Sequence, residues 1–326
     1  MKNNRLTCGA VYKARQPFYK GKMKDDPRLA DIIYPGTEGH VVLLGFPYDE
    51  GVGRNGGRLG ARQGPQAMRA WLRRYGTVYN PEFGVELSRL RIADAGDVAV
   101  GLPLEQAHAA LTAKVAEILE KGGLPFVVGG GNDQSWPNMQ ALLDAYENRP
   151  VGALNVDAHL DVRPLIDGQA HSGSPFRLML EDARFSGEHF IEFATQGSQA
   201  AKEHVEYVRH RHGHIHWLSE IYMNDDALGW FNAALGRVSW DCDAVFVSFD
   251  LDSVRMADCP GVSCPSVMGL RGSEALEIAR IAGLNRKVKL FDLSEYNPLI
   301  EEERTGRLAA SMFYHFCLGV ASRKEV

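Results

Sequence analysis

The sequence predicts an α/β protein built on a mostly parallel β-sheet with helices on both faces. Three observations lead there: short apolar runs rich in β-branched residues, helix-like spacing between them, and polar clusters directly after four of the runs. Continuous apolar runs of about 4–8 residues belong to strands buried on both faces, the condition of parallel sheets. Strand alternating with helix imposes right-handed crossovers and a helical layer on each side.

Taken in order, the first run is 40–46 (HVVLLGF). Residues 1–38 read as an N-terminal extension. Its stretch to Lys24 is basic, lacks an apolar core and is followed by Asp25 and Asp26, which reads against a secretory signal. The run 91–95 (RIADA) comes next, then 104–121, where Ala109, Leu111, Val115, Ile118 and Leu119 recur at helical spacing. The run 124–128 (LPFVV) is stopped by three glycines. Runs at 151–156, 190–194, 214–218, 244–249 and 288–293 complete eight strands. The apolar stretch 308–320, interrupted by Ser311 and His315, reads as a buried C-terminal helix, because nothing approaches the roughly 18 apolar residues that span a bilayer. No Pro- or Ser-rich linker and no repeat divides the chain, so residues 39–326 read as one domain.

Composition narrows the function. The chain has 326 residues, 45% apolar and 24% charged, which excludes a disordered or collagen-like protein. Thirty-six Lys and Arg against 41 Asp and Glu give a net charge of −5, so bulk electrostatics favour neither nucleic acid nor an anionic membrane. Small molecules are the expected partners. Five cysteines without metal-finger spacing fit a reduced, cytoplasmic setting, with Cys259 and Cys264 read as unpaired loop thiols.

In open parallel sheets, ligands bind beyond the carboxyl ends of the strands. Four polar clusters fall there: GGGNDQS (129–135), DAHLD (157–161), Asp250-Leu251-Asp252 and SEYNP (294–298). In extended chain, Asp157, His159 and Asp161 project to one side while Ala158 and Leu160 face away, and Asp250 and Asp252 repeat the device. A lone DxD is more often a turn or a cap. Three ionisable groups at alternate positions have no packing rationale, however, and buried like charges resist ionisation unless cations neutralise them. Two divalent ions supply that charge and acidify a bridging water into a hydroxide at neutral pH, the mark of a hydrolase. Mainly oxygen donors with one imidazole and no thiolate favour manganese or magnesium, with the imidazole tipping the balance to manganese.

The set GGGND, NVDAHLDVR, SFDLDSV and DLSEYNP, with the leading segment 45–65, resembles the arginase, agmatinase and formiminoglutamase family of manganese ureohydrolases over about residues 40–320. The resemblance implies a three-layer α/β/α sandwich on a mainly parallel eight-stranded sheet and two Mn2+ per subunit. It implies Asp157, Asp161 and Asp250 as ligands of one or both ions, and His159 and Asp252 as ligands of the second. At the position where the family has a histidine this chain has Asn132, read here as a weaker oxygen ligand.

Within the family, DAHLDVR and HSGSPFR (171–177) look like formiminoglutamases, which implies hydrolysis of N-formimino-L-glutamate to L-glutamate and formamide, a step of histidine degradation. A substrate with two carboxylates wants guanidinium donors, which Arg163 and Arg177 offer. By the same resemblance Glu295 pairs with the amidine and His171 shuttles a proton to the leaving amine. Two rival readings stay open: an arginase- or agmatinase-like guanidine hydrolase, and a metal-deficient binding or regulatory protein. The family forms trimers, hexamers and monomers, which leaves homo-oligomerisation open. The run His204, His210, His212, His214 and His216 reads as a solvated loop entering a strand rather than as a metal tract.

Overall fold

The computed structural model describes residues 25–323. The strands are β1 (Ile33–Pro35), β2 (Val41–Phe46), β3 (Tyr79–Asn80), β4 (Val85–Glu86), β5 (Ile92–Asp97), β6 (Leu124–Gly129), β7 (Val151–Val156), β8 (Phe190–Thr195), β9 (His214–Trp217), β10 (Ala244–Asp250) and β11 (Val288–Ser294). The helices are α1 (Glu50–Arg54), α2 (Gly64–Leu72), α3 (Leu104–Glu120), α4 (Ser135–Ala145), α5 (Pro175–Glu181), α6 (Lys202–His210), α7 (Leu218–Asn224), α8 (Ala227–Asp241), α9 (Gly272–Leu284) and α10 (Glu303–Ala321). All eight strands expected from the apolar runs form within a residue or two of their expected bounds.

Nine strands, not eight, make the central sheet, in the order β1-β5-β2-β6-β11-β10-β7-β8-β9. Every pairing in it is parallel. The additional strand, β1, is three residues long and carries Pro35, too short to show a pattern and tolerable only at an edge, where the missing N–H breaks no ladder. Residues 1–24 of the expected extension lie outside the described residues, whereas Leu29, Ala30 and Ile33 are buried. The short antiparallel pair β3–β4 stands apart from the sheet.

Period-two alternation builds two cores from one sheet. Val41, Leu43, Phe126, Val128, Val245, Val247 and Phe249 face a layer containing α2, α7, α8, α9 and α10. Val42, Leu44, Phe46, Val127 and Phe246 face the layer of α3, α4, α5 and α6. Both faces are covered by helices, so the strands read as mainly apolar runs. Helix α10 is buried almost all round, as expected of 308–320. Among the described residues no helix is long and apolar enough to cross a membrane. Cys259 is buried and Cys264 exposed, and both are free thiols.

The histidine run is divided differently from the expectation. His204 and His210 lie on α6, not in a loop; only His212, at φ 65°, turns the chain towards His214 and His216 on β9.

Candidate metal centre

The four polar clusters follow β6, β7, β10 and β11, which are adjacent in the sheet. The chain passes from β6 to β7 leaving a gap that β11 and β10 fill later, so the clusters meet over one topological switch point. Asp157, His159 and Asp161 are not on an extended strand: β7 ends at Val156 and the chain bends, with Asp161 in left-handed conformation at φ 46°. The expected division of sides holds all the same, because Ala158 is fully buried and Leu160 is buried among apolar side chains.

Two groups of donor atoms result, each drawn within 4.8 Å: Asp157, His159 and Asp252, and Asp157, Asp161 and Asp250. Asp157 is common to both. His159 Nδ1 lies 3.2 Å from Asp252 and 3.4 Å from Asp157. Asp250 accepts from the backbone N–H of Asp252 at 2.9 Å, which fixes the two carboxylates of the DLD turn.

Burial, reinforced by neighbouring carboxylates, raises Asp157, Asp250 and Glu295 well above the ordinary carboxylate range, and burial pushes Asp161 up to about 6. The same carboxylates outweigh burial at His159 and raise its pKa. Without cations the cluster holds protons; cations replace them. Asp252 Oδ1 and Glu295 Oε2 are buried with no hydrogen-bond partner, the signature of donors awaiting a positive group. The residues present therefore fit divalent metal ions.

Asn132 departs from the expectation. Its Nδ2 donates to Asp161 at 2.9 Å and to Asp157 at 3.3 Å, while its Oδ1 accepts from the hydroxyls of Ser135 (2.8 Å) and Ser294 (3.1 Å). An amide so held presents N–H, not oxygen, to the cluster, and acting as an oxygen ligand requires a flip that breaks both hydroxyl bonds. We expect Asn132→His to tighten the manganese site formed with Asp157, Asp161 and Asp250 by at least tenfold, checked by titrating Mn2+ into metal-free protein. Identical isotherms would leave Asn132 as a hydrogen-bonding residue only.

Glu295 follows β11 in a left-handed conformation at φ 67°, held by its N–H to Gly130 O at 2.7 Å. Its Oε1 accepts from Asn132 N at 3.3 Å. Gly130 is obligatory, since a Cβ there would run into the carbonyl of Tyr48. Strained non-glycine residues concentrate at functional sites, and Asp161 and Glu295 conform.

A cleft of about 430 Å³ opens on the cluster, lined by His159, Asp161, Asp250, Asp252, Glu295 and Arg163 together with Asn55, Arg58, Ser172, Ser263 and Cys264. Two expected residues are not brought to it. Arg177 donates to Val162 O, pairs with Glu181 at 3.2 Å and stacks on Tyr207 at 3.9 Å. His171 is 1% exposed, with Nε2 bonded to Pro164 O (3.0 Å) and Nδ1 accepting from Gly173 N (3.2 Å). Burial lowers its pKa, and with both nitrogens held by backbone the ring offers the cleft no proton path in this arrangement.

Beneath the cluster lies a buried polar layer: Asn155 bonds Glu192 at 2.8 Å, and Ser135 and Asn138 bond Asp292 at 2.9 and 2.8 Å. The signal for it was a single polar residue inside three of the apolar runs, in ALNV, FIEFA and LFDL. Asn55, Arg58 and Ser263 carried no such signal, because they sit in irregular loops that meet only in the fold.

A wholly parallel α/β/α sandwich carrying buried carboxylates and an imidazole over its central strand ends defines a class of protein, one able to hold two divalent cations beside a polar cleft. The chain belongs to the arginase family, whose model matches residues 39–319. It is 33% identical over 302 residues to a formimidoylglutamase of Ralstonia nicotianae, covering 90% of this chain and 89% of that one. It is 34% identical over 303 residues to a formimidoylglutamase of Geobacillus kaustophilus, with 89% and 87% covered. Among solved structures it is similar to Trypanosoma cruzi formiminoglutamase with Mn2+, at a TM-score of 0.88 and 49% identity over 92% of this chain and 100% of that one.

Proposed function

We propose that this chain hydrolyses N-formimino-L-glutamate to L-glutamate and formamide, with two Mn2+ per subunit. The observation that carries the reading is the pair of donor groups sharing Asp157 beside a cleft that also contains Arg163. Residues 39–326 act as one catalytic domain in this reading, in the cytoplasm, on a small acidic amidine; self-association as a homo-oligomer belongs to the same proposal.

Asp157, Asp161 and Asp250 would hold one ion, and Asp157, His159 and Asp252 the other. Bound manganese supplies a water acidified towards neutrality and positive charge for the developing oxyanion. Glu295 pairs with the protonated amidine and turns its carbon towards the cluster. Arg163, with only a 3.5 Å contact to Asn55 and no carboxylate partner among the described residues, holds a substrate carboxylate and repels the cationic tail of arginine or agmatine.

The test is a panel of formiminoglutamate, arginine and agmatine with manganese-reconstituted protein, scored for glutamate and urea. Urea from arginine or agmatine would establish the guanidine hydrolase instead. Arg163→Ala is expected to keep both ions and lose at least tenfold in kcat/KM for formiminoglutamate, as removal of a charge-assisted bidentate contact costs about 2–5 kcal/mol. Wild-type kcat/KM in that variant would make Arg163 structural.

A further inference from the structure

Arg163 is not the only guanidinium of the cleft without a counter-charge. Arg54, the last residue of α1 and four residues before Arg58, pairs with Glu50 and Glu105. Arg58 differs. Its Nε donates to Ser263 O at 3.0 Å and its Nη2 to Val262 O at 2.8 Å, while its backbone N–H bonds Ser263 Oγ at 2.8 Å. These neutral acceptors fix the direction of the fork without cancelling its charge, and Nη1 has no partner among the described residues. Gly57 permits the approach, since a Cβ there would meet Ser263 Oγ at 2.8 Å.

Building on the proposed reaction, we propose that Arg58 is a second carboxylate anchor, holding the γ-carboxylate of formiminoglutamate while Arg163 holds the α-carboxylate. The assignment follows from position relative to the donors. The α-carboxylate is one carbon from the reacting nitrogen, and Arg163 stands two residues beyond Asp161 on the same cleft. The γ-carboxylate lies two methylenes further out, and Arg58, in a segment that supplies no donor to the cluster, is tied to the 262–263 loop. Two guanidinium groups on a cleft that holds two carboxylates select a dianion over a monoanion, and the geometric match of guanidinium to carboxylate favours Arg over Lys for the role.

The experiment compares formiminoglutamate with N-formimino-L-alanine, which lacks the γ-carboxylate, on manganese-loaded wild type, Arg58→Ala and Arg58→Gln; the last keeps a donor for the 262–263 carbonyls without the charge. Both variants should lose at least tenfold in kcat/KM for formiminoglutamate, mainly through KM, and stay within twofold of wild type on the alanine analogue. Calorimetry with L-glutamate, the product, should show the same loss of affinity. Equal losses on both substrates, or none, would overturn the assignment and leave Arg58 as a loop fastener. Should wild type hydrolyse neither compound, the reaction reading fails; Arg58-dependent glutamate binding would still support the anchor, and Arg58-independent binding would overturn it as well.

Discussion

Asp157→Asn is expected to abolish hydrolysis by a thousandfold or more and to empty both manganese sites together, whereas Asp252→Asn empties one. Asp157 is the only residue common to the two donor groups, so losing its charge weakens both. Metal ions contribute several kcal/mol to a hydrolytic transition state, and each 1.4 kcal/mol is about tenfold in rate. Metal content after dialysis, read beside kcat, checks the result. Full turnover by chelated wild-type protein would refute the manganese chemistry outright.

The same cluster sets a pH dependence. Asp157, Asp161, Asp250 and Glu295 have raised pKa values in the folded metal-free protein, Asp161 at about 6. A carboxyl whose folded pKa is raised favours the fold below its unfolded pKa, about 4, and loses that contribution as pH rises through the folded value. His159, also raised, loses its contribution in the same direction above about 6.5. Metal-free protein therefore becomes less stable from pH 5 to pH 8, while manganese, competing with those protons, binds more tightly. The rise in Tm on adding Mn2+ should be small at pH 5 and larger at pH 8. A shift independent of pH would mean that these groups do not exchange protons for metal.

The metal cluster was legible in the sequence because its donors sit at fixed offsets from strand ends, and strand ends are marked by where the apolar runs stop. Burial on both faces made those runs continuous. The cleft wall was less legible for the converse reason: Arg58, Asn55 and Ser263 come from loops far apart in the chain, and nothing local distinguishes Arg58, which lines the cleft, from Arg177, which stacks on Tyr207. His171 was read as a shuttle through the family resemblance, yet its ring nitrogens are bonded to Pro164 O and the Gly173 N–H, backbone partners that its place in the motif does not reveal. Asn132 shows the limit most sharply. Its place beside the carboxylates was legible, but which end of the amide faces them is decided by the hydroxyls of Ser135 and Ser294, 159 residues apart in sequence.

Glu295→Gln is expected to reduce kcat/KM for formiminoglutamate by roughly a hundredfold or more while both manganese ions stay bound. The side chain is 5% exposed and keeps one oxygen without a partner, and it is held in place by a strained backbone that Gly130 anchors. Such a carboxyl, raised in pKa by burial and by Asp252 and Asp161, is poor as a free anion and good as the partner of a cation that arrives with its own proton. A protonated amidine is such a cation. The amide of glutamine keeps the shape and removes the charge, and removing one member of a buried hydrogen-bonded charge pair costs about 2–5 kcal/mol. The loss should grow on protonated amidines and shrink on a neutral ester of the same length, a contrast that a purely structural defect does not produce. Unchanged kcat/KM would exclude the amidine contact, and loss of manganese in the variant would reassign Glu295 to the metal centre.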